Sequence, residues 1–120
     1  MKVLVIDDSP IQHKLAKYYL ETGYGHQVEQ ALSGMDGIEM AITTMPDAII
    51  LDVKLSDLSG KETLRALKKM KPTREIPVIM AGTDQDWDQK DTLIAMGAAA
   101  FIRKHQDMGI LHDKIKTLCA

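Results

Sequence analysis

The sequence predicts a doubly wound α/β domain: a five-stranded parallel sheet with helices on both faces. Three observations carry this expectation. Short apolar runs alternate with longer segments of helical period. The runs are apolar at successive positions, as strands buried on both faces must be. The chain has 120 residues, 45% hydrophobic and 27% charged, the size and composition of one ordinary globular domain. No linker, repeat or low-complexity stretch interrupts the alternation, so residues 1–120 read as a single domain.

The first strand is VLVI at 3–6. A helix follows, with Ser9 as N-cap, Pro10 at the first helical position and Gln12 completing a capping box. Ile11, Leu15 and Tyr19 form its apolar stripe. QVEQA at 27–31 is a weaker, alternating strand. Met35, Ile38, Ile42 and Met45 mark the second helix, which must stop before Pro46. AIIL at 48–51 is the third strand. Leu64, Leu67 and Met70 mark the third helix, ended by Pro72. PVIMA at 77–81 is the fourth strand. The segment 85–96 has the weakest helical pattern, because its first half carries one large apolar residue, Trp87. AAAFI at 98–102 is the fifth strand, and Leu111, Ile115 and Leu118 mark the last helix.

A net charge of −2 gives no electrostatic footprint for nucleic acid or an anionic membrane surface. The basic stretch KKMKPTR ends a helix, where cations suit the dipole and the solvent. No apolar run approaches the ~20 residues that span a bilayer, and the N-terminus lacks the pattern of a secretion signal. The single cysteine, Cys119, permits no internal disulfide, and a cytoplasmic location is the expectation.

In an open parallel sheet, ligands bind beyond the carboxyl ends of the strands. Strand one ends in Asp7 and Asp8, strand three in Asp52, strand four in Gly82 and Thr83, and strand five in Lys104. Taken singly, such residues are ordinary turn formers and caps. Together they bring three carboxylates, an ammonium and a hydroxyl to one rim. Adjacent carboxylates repel, and each resists ionising beside the other. A hard divalent cation resolves this, and Mg²⁺ in particular binds through a few carboxylates while keeping several waters. A remaining carboxylate can then act as nucleophile and form an aspartyl-phosphate, with Lys104 neutralising phosphoryl charge that the metal does not reach. The acidic first loop argues against a flavin or nucleotide site, which presents N–H groups to phosphate.

With these residues in hand, the chain resembles the receiver domains of two-component response regulators, including the single-domain chemotaxis type. The resemblance rests on DDSP after strand one, LDVKLSDLSG around Asp52, IPVIM in strand four and MGAAAFIRK at strand five, and it covers essentially the whole chain. It implies the flavodoxin-like (βα)5 receiver fold and a signalling phosphoacceptor that turns over no external metabolite. It implies that Asp52 is the phosphoacceptor and that Asp7, Asp8, Asp52 and the backbone carbonyl of Lys54 hold Mg²⁺. Lys104 is implied as the phosphoryl contact, and Gly82, Thr83 and Phe101 as the switch positions. The implied partners are a sensor histidine kinase or phosphotransfer protein upstream and a protein contact downstream, with no direct nucleic-acid or membrane binding.

The chain departs from the family pattern at several positions. Gly82 stands where the pattern has Ser or Thr, with Thr83 at the next, usually small, position. His105 stands where a proline, commonly preceded by a cis bond, is expected, and Ser56 replaces another usual proline. Glycine cannot donate the switch hydroxyl's hydrogen bond, so phosphorylation is expected to move Phe101 only weakly. A pseudo-receiver that acts without phosphorylation is the rival reading. An aspartate-nucleophile phosphohydrolase would need a covering insertion for which the chain has no room. The side chain of Lys54 reads either as solvated or as leaning over the site. His13, His26, His105 and His112 show no metal-ligand spacing with cysteine and read as surface or helix-flanking residues. The eight methionines read as gap-filling core, and Trp87 as partly exposed, with a packing or a partner role.

Overall fold

The computed structural model describes residues 1–22, 24–104 and 106–119. Five parallel strands, β1 (Lys2–Ile6), β2 (Gln27–Ala31), β3 (Ala48–Asp52), β4 (Val78–Gly82) and β5 (Ala100–Arg103), lie in the order β2-β1-β3-β4-β5. The helices between them are α1 (Pro10–Glu21), α2 (Gly34–Thr44), α3 (Gly60–Lys69), α4 (Lys90–Ala95) and α5 (Leu111–Leu118). A 3-10 helix, Asp84–Gln89, precedes α4, so the weakly patterned segment is helical in two unlike halves. No described helix is long and apolar enough to cross a membrane.

Two apolar layers sandwich the sheet. On one face Val3, Val5, Ile50, Ile79 and Ile102 pack against Ala16 and Leu20 of α1 and Leu111 and Ile115 of α5. On the other, Leu4, Ile6, Ile49, Leu51 and Met80 pack against Ala41, Leu64, Leu67 and Leu93. Every residue of β3 and β4 is buried, which accounts for their unbroken apolar reading. Strand order reverses between β1 and β3, the position at which an open sheet of this kind leaves a crevice at its carboxyl edge.

The helix faces differ from the sequence expectation in two places. In α1 the buried residues are Gln12, His13, Ala16 and Leu20, while Ile11 is exposed. Ser9 Oγ accepts from the Gln12 main-chain N–H, but the buried side-chain Oε1 of Gln12 has no partner among the described residues, so only one half of the expected capping box forms. In α2 the buried residues are Gly34, Gly37 and Ala41, with Met35, Ile42 and Met45 exposed. The cause is close approach: a Cβ on Gly37 would fall 2.5 Å from the Ile6 side chain, so a larger residue cannot face the sheet there. The methionines divide accordingly, Met80 and Met108 in the core and Met1, Met35 and Met45 exposed.

Candidate functional site

The acid cluster is assembled by the sheet ladder. Ile6 and Leu51 form the last rung between β1 and β3, so Asp7, one residue past β1, stands beside Asp52, the last residue of β3. The Asp7 N–H continues the ladder onto the Ala31 carbonyl at 3.0 Å, and Asp7 is buried. Asp8 follows on the solvent side. Carboxylate oxygens of Asp7, Asp8 and Asp52 lie within 4.8 Å of one another.

Lys104 closes the cluster from β5. Its main-chain N–H donates to the Gly82 carbonyl at 2.7 Å. Its Nζ donates to Asp52 Oδ1 at 2.8 Å and Asp7 Oδ2 at 2.9 Å, bridging the two buried carboxylates. Burial pushes the Asp52 carboxyl up to about 6; the Lys104 hydrogen bond opposes that rise and the Asp7 charge adds to it. Burial also works against the Lys104 ammonium, but its hydrogen bonds to Asp52 and Asp7 outweigh burial, and its affinity for the proton is raised. One ammonium therefore leaves three carboxylates under-neutralised. An all-oxygen acidic donor set with residual negative charge fits a hard divalent cation.

On the other side of Asp52 lies a second group. The main-chain N–H of Lys54 donates to Asp52 Oδ1 at 3.3 Å. The Lys54 side chain is largely exposed, and its Nζ sits 3.6 Å from Oδ1 of the buried Asp86, so it leans across the rim without reaching the acid cluster. Asp86 Oδ2 also accepts from the Thr83 main-chain N–H at 2.9 Å and from the Thr83 hydroxyl at 3.1 Å. The one hydroxyl at the end of β4 is thus committed to Asp86. Phe101 is buried beside Gly82, where an added Cβ would lie 2.8 Å from the ring tip, 2.9 Å from Asp86 Cβ and 3.0 Å from Val53. Trp87 covers the ring edge-to-face at 5.6 Å, partly exposed and flanked by Lys90 and Arg103.

All the residues singled out at strand ends share this rim, though in two groups: Asp7, Asp8, Asp52 and Lys104 in one, Gly82, Thr83 and Phe101 in the other. The histidine reading needs correction. His13 is buried, with Nε2 at 2.6 Å from the Asp7 carbonyl oxygen. His26 is buried and bonds His112 at 2.8 Å, which ties the start of β2 to α5. His105 lies outside the described residues. His13 and Asp86 were missed in the sequence. The i, i+3, i+7 spacing of His13, Ala16 and Leu20 marks the true inner face of α1, and TDQD at 83–86 is a helix-start signature that ties Asp86 to Thr83.

A family model described as "Response regulator receiver domain" matches residues 3–116. Protein PilH of Pseudomonas aeruginosa is 32% identical over 119 residues, covering 99% of this chain and 98% of that protein. The nitrate/nitrite response regulator protein homolog of Haemophilus influenzae is 34% identical, but the chain spans 56% of its length. Among solved structures, a response regulator receiver domain protein from Clostridium thermocellum superposes with a TM-score of 0.88 at 30% identity, covering 98% of this chain and 93% of that one. Vibrio cholerae chemotaxis protein CheY4 gives 0.87 at 26% identity, with 98% and 97% covered.

Proposed function

The chain belongs to the response regulator receiver family, a family of signalling phosphoacceptors, and on that premise we propose that Asp52 accepts the phosphoryl group. The observation that carries this reading is the cluster itself: three carboxylates within 4.8 Å, with Lys104 Nζ at 2.8 Å from Asp52 and 2.9 Å from Asp7. The reading assigns Asp7, Asp8, Asp52 and the Lys54 carbonyl to Mg²⁺. When bound, Mg²⁺ supplies neutralisation of the incoming phosphoryl oxygens.

A carboxylate oxygen of Asp52 forms the new bond to phosphorus while the donor's phosphorus–nitrogen bond breaks. The leaving imidazole keeps that electron pair and takes a proton. Lys104 turns from the carboxylate pair to the phosphoryl oxygens and carries part of their charge. A histidine kinase is the donor the family implies; a phosphotransfer protein donates from histidine in the same way, whereas a small acyl-phosphate donor breaks a phosphorus–oxygen bond and leaves as a carboxylate. We place the reaction in the cytoplasm. Incubation with a small phosphodonor and Mg²⁺ should add one base-labile phosphoryl group by intact mass, and Asp52→Asn should abolish it. A label persisting in Asp52→Asn would overturn the assignment.

A second reading draws on Gly82. With no side chain at 82 and Thr83 held by Asp86, the switch hydroxyl is replaced by space that the Phe101 ring fills. The aromatic is then already seated before phosphorylation, and the surface around Trp87 has one preset shape. This favours a receiver whose output tracks the charge at Asp52, or partner access to it, more than a turn of Phe101.

A further inference from the structure

Outside the acid cluster, the first turn of α1 buries a polar side chain beside the loop that carries Asp7 and Asp8. His13 projects inward on the His13, Ala16, Leu20 stripe, a position that packing alone would fill with an apolar residue. A carbonyl can only accept, so His13 Nε2 carries the hydrogen in its bond to the Asp7 oxygen at 2.6 Å. That leaves Nδ1 as a buried acceptor with no partner among the described residues, which costs stability.

What the bond holds is specific. The Asp7 carbonyl and the Asp8 N–H belong to one planar peptide unit. Fixing that oxygen fixes the plane from which Asp8 departs. Asp7 itself is anchored elsewhere: its N–H on Ala31 at 3.0 Å, Oδ1 by the Ser9 N–H at 2.8 Å, and Oδ2 by Lys104 at 2.9 Å. Asp8 is the exposed member of the acid trio, and no hydrogen bond or ion pair from a described residue holds its carboxylate. Its aim therefore depends on the backbone, and the backbone is held at this peptide by His13, whose own N–H also donates to the Ser9 carbonyl at 3.2 Å.

We infer that His13 is a positioning residue for cation binding: its ring N–H locks the Asp7–Asp8 peptide and so points the Asp8 carboxylate at Asp7 and Asp52. This rests on the phosphoacceptor reading, since it concerns the cation that reading requires. Hydrogen bonds behind metal ligands characteristically change affinity by about 10–100-fold when removed, and a loss in that range is expected here.

The test compares His13→Leu, His13→Gln and His13→Asn, titrating each with Mg²⁺ alone by NMR of the Asp8 and Ser9 amides and melting each without metal. Glutamine can bring an N–H to the Asp7 oxygen, whereas asparagine is too short. Leucine should weaken Mg²⁺ binding by about 10–100-fold while leaving the metal-free melting temperature unchanged or higher, because the unpartnered Nδ1 is gone. Glutamine should bind Mg²⁺ close to the unmodified protein, and asparagine should resemble leucine. If leucine fails to fold, the glutamine and asparagine pair decides. Unchanged Mg²⁺ affinity in leucine and asparagine would overturn the inference, as would equal loss in all three variants. A failure of the unmodified protein to respond to Mg²⁺ would sink the phosphoacceptor reading, and this inference with it.

Discussion

The two ends of the rim are built to different standards. At the β1–β3 end, a bridging ammonium and clustered carboxylates stand within hydrogen-bonding reach, and the residual charge invites a cation. At the β4–β5 end, the hydroxyl of Thr83 is bound to Asp86, Gly82 offers no side chain, and Phe101 already fills the space beside it. Phosphoryl chemistry needs charge brought to one point; coupling to a surface needs an element with two arrangements of similar energy. The first requirement is met in full. For the second, the structure shows one arrangement, with the Phe101 ring seated beside Gly82 and Thr83 bound to Asp86.

Lys104 is where the two ends of the rim differ most in what they hold. Lys104→Met leaves Asp7 and Asp52 buried without their shared cation, and should destabilise the metal-free protein at pH 7.5 by about 3 kcal/mol. Mg²⁺ should then stabilise the variant more than the unmodified protein, measured by urea unfolding with and without metal. Next is Asp8→Ala. A ligand at 100 times its dissociation constant stabilises by about 2.7 kcal/mol, and this variant should lose most of the Mg²⁺-dependent rise in melting temperature.

Acidity sharpens the same end. The folded Asp52 carboxyl, near 6, lies above its ordinary value near 3.8. The folded state therefore binds the proton more tightly than the unfolded chain. The resulting stability is fully present below about pH 4 and is lost as pH rises through 6, an effect on the order of 2 kcal/mol. Metal-free urea unfolding between pH 4.5 and 7.5 should show this decline, and Asp52→Asn should flatten it. Mg²⁺ competes with the same proton, so its stabilisation should grow across that interval. At the other end the effect is smallest: Gly82→Ala overpacks the Phe101 seat and should cost on the order of 1 kcal/mol, partly relieved by adding Phe101→Leu.

How much of this was legible depended on which physical signal the residues carry. The strands were legible because doubly buried β3 and β4 are apolar at nearly every position. The acid cluster was legible because four strand ends share one edge whatever the details of packing. The inner faces of α3 and α5 were legible too, through Leu64, Leu67, Leu111 and Ile115, whereas those of α1 and α2 were not. Ile11 and Met35 looked inward by hydrophobicity, but the inner faces belong to His13, Gly37 and Ala41, where a hydrogen bond or close approach to Ile6 decides. Lys104 was expected to meet a phosphoryl group; that it bridges Asp7 and Asp52 beforehand is a three-dimensional fact with no sequence signal. The fit of Phe101 to Gly82 is of the same kind, since residues 19 positions apart meet only across the β4–β5 ladder.

The most direct test of intact chemistry with a preset surface is NMR of the Mg²⁺-loaded protein with and without a phosphoryl mimic such as beryllium fluoride. The account predicts large shifts at Asp8, Val53 and Lys104, with the contacts between the Phe101 ring and Gly82 present in both states. Gly82→Thr should displace the ring in the unloaded protein and make its position respond to the mimic, with Mg²⁺ binding nearly unchanged. A Phe101 ring that leaves Gly82, or arrives there, when the mimic binds to the unmodified protein would contradict the account.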